Sequence, residues 1–142
     1  MIDFHTHTIF SDGELLPSEL VRRAGEKGYR FIALTDHVDR SNFDFVIPRL
    51  LRCAAELNTV TSVRVLVGAE ITHVPPRLIA PLVRDIRAIG AQLVVAHGET
   101  LVEPVSKGTN RAAIEAGVDI LAHPGLIEPD EVELAAEKGG YL

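Results

Sequence analysis

The stretch that decides the fold is QLVVAHG, residues 92–98. Leu93 to Ala96 form an unbroken apolar run that ends in His97 and Gly98. A strand with one face in water alternates apolar and polar side chains, so an unbroken run reads as a strand buried on both faces, in a parallel sheet wrapped by helices. The same pattern recurs along the chain. VRVLVGAE (63–70) runs into Glu70, VDILAHPG (118–125) into His123, FIALTDH (31–37) into Asp36 and His37, and MIDFHTH (1–7) into His5 and His7.

Helical spacing fills the gaps between these runs. Leu16, Leu20, Val21 and Ala24 share one helical face, with Pro17 suited to a first turn and Gly28 to a stop. Ile47, Leu50, Leu51, Ala54 and Leu57 form a second face, and Leu78, Leu82, Ile86 and Ile89 a third, closed by Gly90. NRAAIEAG (110–117) and EPDEVELAAEKGG (128–140) supply two more helices. Five βα units in a row predict an α/β fold, either a doubly wound sheet or a (β/α) barrel. No Gly-x-Gly-x-x-Gly follows the first strand, which weakens a dinucleotide-binding reading.

The bulk properties set limits. A chain of 142 residues is long enough for one domain, residues 1–142, with its own core. A net charge of -6 argues against an extended nucleic-acid surface, and a protein this acidic needs a local source of positive charge to handle an anionic substrate. The single cysteine, Cys53, excludes an internal disulfide and falls where a small core residue is expected. No basic segment precedes an apolar one at the start, and no apolar run approaches membrane-spanning length, so the default compartment is the cytoplasm, with no membrane partner.

The chemistry lies in what ends each strand. His5 and His7, then Asp36 and His37, Glu70, His97 and His123 all fall at or just past a strand's carboxyl end. In a parallel barrel those ends converge on one mouth, where active sites form. Imidazole and carboxylate are ligands for zinc, manganese and ferrous iron, and His-x-His on an extended chain turns both rings to one side. One histidine ending a strand is usually only a satisfied polar group, but five in register with an acid on the remaining strand predict a metal centre. Asp12, in the first βα loop, is either a ligand or the turn residue before Gly13. Asp36 either orients a neighbouring imidazole or is a polar strand end. His73, in ITHVPP (71–76), is a ligand, a phosphate contact or a packing residue. Lys107 and Arg111 are either phosphate contacts or solvated charges.

The ordered set DFHTHT with SDG, LTDH, GAE, AHG and LAHPG resembles the PHP family, named for polymerase and histidinol phosphatase, across the whole chain. GAEITHVPP and GTNRAAIEAGVDILAHPG look most like its small stand-alone members. The resemblance implies a TIM-like (β/α)7 barrel and a metal-dependent phosphoesterase with up to three divalent ions (Zn, Mn or Fe). It implies that His5, His7 and Glu70 hold a first ion, that Glu70, His97 and His123 hold a second with Glu70 bridging, and that Asp12 and His37 hold a third. Glu70, His97 and His123 are the expected catalytic core, because theirs is the one ligand set present in full. The family's late Asp-x-His has no counterpart here, which leaves the first and third sites incomplete. A sixth strand begins at Tyr141, so the chain reads as a barrel cut within that strand or as a short form that closes by oligomerising, and an open edge predicts aggregation or a homo-oligomer.

The activity expected is hydrolysis of a small phosphorylated substrate, of the histidinol phosphate, nucleotide or short-oligonucleotide class, by metal-bound hydroxide. Two other readings compete. A metal-dependent amidohydrolase also uses His-x-His on its first barrel strand, but no lysine ends a strand here to be carbamylated. A barrel scaffold in an RNA-processing complex would have lost ligands that this chain largely keeps, whereas the missing Asp-x-His leaves a non-catalytic metal-binding remnant as the other alternative.

Overall fold

A computed structural model describes all residues, 1–142. Its elements alternate: β1 (Ile2–Thr6), α1 (Pro17–Glu26), β2 (Phe31–Leu34), β3 (His37–Val38), α2 (Phe43–Val60), β4 (Arg64–Ile71), α3 (Pro76–Ala88), β5 (Leu93–His97), α4 (Thr109–Ala116), β6 (Ile120–Ala122) and α5 (Pro129–Lys138). Every strand pairing is parallel, and the order is β1-β2-β4-β5-β6, with β3 on β4. A doubly wound sheet reverses its strand order partway. This one never does, so the sequence alternative resolves to a half-barrel with five helices. Beyond β6, Tyr141 makes a parallel bridge to Ile120, where the sequence places the start of another strand.

The core lies between the sheet and its helices. Along β4, Val65, Val67, Ala69 and Ile71 are all buried, and they join Leu34, Ile47, Leu50, Ile79, Leu82 and Ile86 in one cluster. The expected apolar faces hold with two shifts. Leu16 and Leu78 are exposed, while Ile79 and Val83 enter the core in Leu78's place. A stripe of three residues in every seven spans both phases of the helix, and contact with the sheet selects one. Cys53 is half-buried and bonded weakly to Ser18, not enclosed in the core. It borders a cleft of about 540 Å³ on the α1–α2 surface.

The run FIALTDH is not one strand. It breaks at Thr35 and Asp36 and resumes as β3, with His37 level with Glu70. The Asp36 side chain supplies the reason. It turns back to accept hydrogen bonds from the Thr8 amide (2.8 Å), the Thr8 hydroxyl (2.9 Å) and the Ser11 hydroxyl (2.7 Å). No helix is long and apolar enough to cross a membrane.

Candidate metal centre

Parallel strands deliver their last residues to one end of the sheet, and all seven predicted ligands meet there. His5, His7, Asp12, His37, Glu70, His97 and His123 line one open cavity of about 360 Å³, and Glu103 is the eighth residue lining it. No lysine or arginine lines this cavity.

Glu70 is the hub. Its carboxylate is fully buried near the end of β4. Oε2 lies 2.9 Å from His5 Nε2, 3.1 Å from His7 Nε2 and 3.1 Å from His37 Nδ1. Oε1 lies 3.1 Å from His97 Nδ1 and 3.9 Å from His123 Nε2. His7 Nδ1 turns the other way, 2.9 Å from Asp12 Oδ1, and His37 Nε2 is 3.5 Å from Asp12 Oδ2. The donor groups compact enough to grip one ion are therefore His5–His7–Glu70, His7–Asp12–His37, His37–Glu70–His97 and His73–His97–Glu103. The first matches a triplet that the resemblance implies. The second adds His7 to the expected pair. His123 joins no compact group, and its backbone sits at a φ of 51°.

These positions set the charges of Glu70 and the imidazoles against burial and couple them to one another. Burial disfavours the Glu70 carboxylate, but hydrogen bonds from His5 and His7 and the charge of His5 and His37 hold its pKa well below the ordinary carboxylate range. Burial also opposes charge on His7, yet the Glu70 hydrogen bond and charge, with Asp12 and Asp36, raise its pKa. Burial pushes His37 down, and neighbouring His7 and His97 add to that against Glu70 and Asp12. The His7 and His37 ring centroids are only 4.3 Å apart, so the two imidazoles cannot both charge cheaply. Three imidazole nitrogens crowd one carboxylate oxygen, more than its lone pairs accept well. His97 Nε2 is buried with no hydrogen-bond partner at all. Lone pairs converging on a dry carboxylate fit divalent cations better than they fit one another.

Asp36 bonds no imidazole directly. It anchors the β1–α1 loop through Thr8 and Ser11, and the Ser11 hydroxyl in turn lies 3.4 Å from His7 Nδ1. His73 sits on the rim beside His97, its ring centroid 5.7 Å away, and bonds Glu103 at 2.9 Å. Lys107 and Arg111 do not line the cavity, and the Arg111 guanidinium pairs with Asp130 on α5. Glu103 was not anticipated from the sequence. It lies in the β5–α4 loop, and the one available signal was an acid in the βα loop that follows a strand-end histidine.

Gly98 sets the spacing of the last two strands. A Cβ there would lie 2.7 Å from Asn110 Oδ1, 2.8 Å from Ala122 O and 2.9 Å from Pro124 Cα. The tight approach holds the ends of β5 and β6, and so His97 and His123, side by side with ring centroids 5.0 Å apart.

This site and sheet define the class. A PHP domain family model matches residues 3–141, and the chain belongs to the PHP domain family. It is 50% identical over 142 residues to the uncharacterized protein MJ1295 of Methanocaldococcus jannaschii, covering 99% of this chain and 65% of that one. It is 28% identical over 135 residues to the 5'-3' exoribonuclease Rnm of Salmonella typhimurium, covering 88% of this chain and 44% of Rnm. The chain thus spans less than two thirds of the length of each of these relatives.

Proposed function

We propose that this PHP domain is a metal-dependent phosphoesterase. The observation that carries the reading is the buried Glu70 carboxylate ringed by imidazole nitrogens in a cavity with no lysine or arginine. Without bound cations an anionic phosphate ester would meet only titratable imidazoles there, beside the Glu70, Asp12 and Glu103 carboxylates. His5, His7 and Glu70 would hold one ion, and His7, Asp12 and His37 would grip another. The ion that the resemblance assigns to Glu70, His97 and His123 would need His123 to close in, since its Nε2 lies 3.9 Å from Glu70 Oε1. Divalent ions in such a site supply a nucleophile at neutral pH and offset the charge that builds on the phosphoryl oxygens.

The chain's own residues supply position and exclusion. Glu70 provides negative charge away from water. Asp12 stands at the mouth, largely exposed, where the charges of His37 and His7 outweigh partial burial and keep its pKa low. Asp36 fixes the loop that carries His7 and Asp12. Among substrate classes, a relative named as an exoribonuclease favours a nucleotide or short oligonucleotide over histidinol phosphate. The fold that we propose is the (β/α)7 barrel, supported by the sequential parallel order that continues at Tyr141. The amidohydrolase reading loses its main requirement, since no lysine lines the cavity.

Elemental analysis of protein purified without chelator should find zinc, manganese or iron. The same sample should hydrolyse bis-p-nitrophenyl phosphate or a short 5'-phosphorylated RNA, lose that activity with chelator, and leave cyclic amides untouched. Metal-replete protein that hydrolyses a cyclic amide and no phosphate ester would overturn the proposal.

A further inference from the structure

The β1–α1 loop borders two depressions. Asp12 lines the metal cavity, and Phe10, two residues earlier, lines a groove of about 340 Å³ against α2. Leu16 and Pro17 form the same wall as Phe10, and Arg49 and Arg52 form the α2 wall. Phe45 stands beside the groove, half-exposed, with its ring centroid 6.3 Å from that of Phe10. One turn on, the Arg49 guanidinium lies 3.5 Å above the centre of the Phe45 ring and donates to the Phe45 carbonyl at 2.8 Å. Neither Arg49 nor Arg52 pairs with a carboxylate, whereas Arg22, Arg23, Arg40, Arg87 and Arg111 all do. We propose that this groove binds a nucleotide unit of a single-stranded oligonucleotide, with its base stacked on the Phe45–Arg49 platform and its phosphate held by Arg49 and Arg52.

Charge and shape support this occupant. The chain carries a net charge of -6, so two unpaired arginines three residues apart on one helix face form a local positive focus. A guanidinium laid on an aromatic ring keeps its charge and its outer edge. It offers a plane for a base and a fork of N–H groups for phosphate oxygens. Val46, Ile47 and Leu50 already form the buried face of α2, so the exposed Phe45 ring is not held out of water by the core. The volume suits one small ligand rather than a long track. Glu56 stands at the end of the groove away from the loop, and the α1–α2 cleft beyond it holds no lysine or arginine, which confines an anion to the end beside the metal cavity. Two other readings are weaker. Arg49 shielding Phe45 within one helix leaves Arg52 and the open volume unexplained. A docked protein helix would cover Leu16 and Phe45 but needs acids placed against both arginines.

The inference deepens the phosphoesterase reading and rests on it for the role of the bound strand, but binding is measured without the metals. The whole chain in chelator is titrated with a fluorescent single-stranded RNA hexamer and with an abasic ribose-phosphate chain of the same length. The RNA should bind more tightly than the abasic chain. Phe45→Ala should weaken RNA binding roughly 5- to 150-fold, the loss expected for one stacked base. Arg52→Glu should lower the slope of log affinity against log salt by about 0.7, one phosphate contact on a single strand. Arg84→Glu, an exposed unpaired arginine on α3, should bind as the parent does. All three side chains are exposed, and melting curves check that the variants stay folded. With metals restored, the variants should hydrolyse bis-p-nitrophenyl phosphate at the parent's rate, since that ester is too small to need the groove. A parent that binds no RNA, an abasic chain that binds equally, or variants at Phe45 and Arg52 that match the parent each overturn the proposal, whatever the hydrolysis. So does an Arg84→Glu loss equal to that of Arg52→Glu. An acidic amphipathic helical peptide that binds through Phe45 while RNA does not makes the groove a protein-docking surface and overturns it too. The expected binding pattern in a metal-replete protein that hydrolyses no phosphate ester keeps the groove and removes the phosphoesterase reading instead.

Discussion

Asp36→Ala should unfold the protein early and weaken its metal centre, for one reason. Asp36 and Thr8 are both fully buried. The carboxylate accepts from the Thr8 amide at 2.8 Å and from the Thr8 hydroxyl at 2.9 Å, and from the half-buried Ser11 hydroxyl at 2.7 Å. Truncation leaves two donors on Thr8 with neither an acceptor nor water, while Ser11 can turn to solvent. An orphaned buried donor costs about 1–3 kcal/mol, so the pair costs roughly 3 kcal/mol, allowing for partial relaxation. For a chain of this size, a drop of that order lowers the melting temperature by roughly 6–12 °C. Asp36→Asn keeps one acceptor oxygen for the Thr8 amide and should lose about half as much. The same loop carries His7 and Asp12, and disturbing groups that orient metal ligands typically costs about 10–100-fold in affinity. The assay is thermal unfolding in chelator, followed by Zn²⁺ titration of each variant. If Asp36→Ala melts within about 2 °C of the parent and binds zinc equally well, Asp36 does not hold the loop.

Other outcomes follow from the same geometry. Gly98→Ala would drive a Cβ into Ala122 O and Pro124 Cα, atoms that cannot turn aside, so β5 and β6 must part. Overpacking of this kind costs about 1–3 kcal/mol, and chemical denaturation should show it together with weaker metal binding. Zinc at about 100 times its dissociation constant should stabilise the folded chain by roughly 2.7 kcal/mol per site, read as a rise in melting temperature that chelator reverses. In chelated protein, the raised His7 pKa means that its interaction with Glu70 is fully present below the ordinary value of 6.5 and is lost as pH rises through the folded value. The parent's stability margin over His7→Gln should therefore shrink as pH rises from the ordinary value of 6.5 through the folded value, and a constant margin would contradict this sign. Glu70 runs the opposite way: its lowered pKa contributes stability above the ordinary value of 4.5, lost only as pH falls through the folded value.

How much of this was legible in sequence depends on whether each signal is local. Strand-end placement is local. A residue that closes an apolar run in a parallel strand must sit at the sheet's carboxyl end, so His5, Glu70, His97 and His123 could be brought to one cavity from spacing alone. Helices were legible in the same way, because periodicity fixes which stripe is apolar. It does not fix which edge of the stripe wins, and Ile79 rather than Leu78 faces the sheet. Asp36 marks the limit of this logic. As a strand-end acid it was level with the ligands, yet its side chain turned to Thr8 and Ser11, more than twenty residues earlier in the chain, and broke the strand in doing so. Nothing in FIALTDH distinguishes an acid that faces a cavity from one that anchors a loop.

Glu103 and the outward nitrogen of His97 lay further out of reach, because both depend on a contact between loops. Glu103 meets His73 across 30 residues, and neither lies in a periodic segment. Their meeting depends on β4 and β5 being neighbours, on the left-handed backbone at His73, and on the β5–α4 loop bringing Glu103 to the His73 ring. The choice of nitrogen at His97 follows from Glu70 alone. A carboxylate on one side of a ring determines what the other side can do, and that determination exists only once the two strands stand in register. The candidate ligand types were therefore written strand by strand, whereas the number of ions they could hold and the division of histidine nitrogens among them are properties of the assembled mouth. This is why counting the ions bound per chain bears on the fold's chemistry more directly than any further motif.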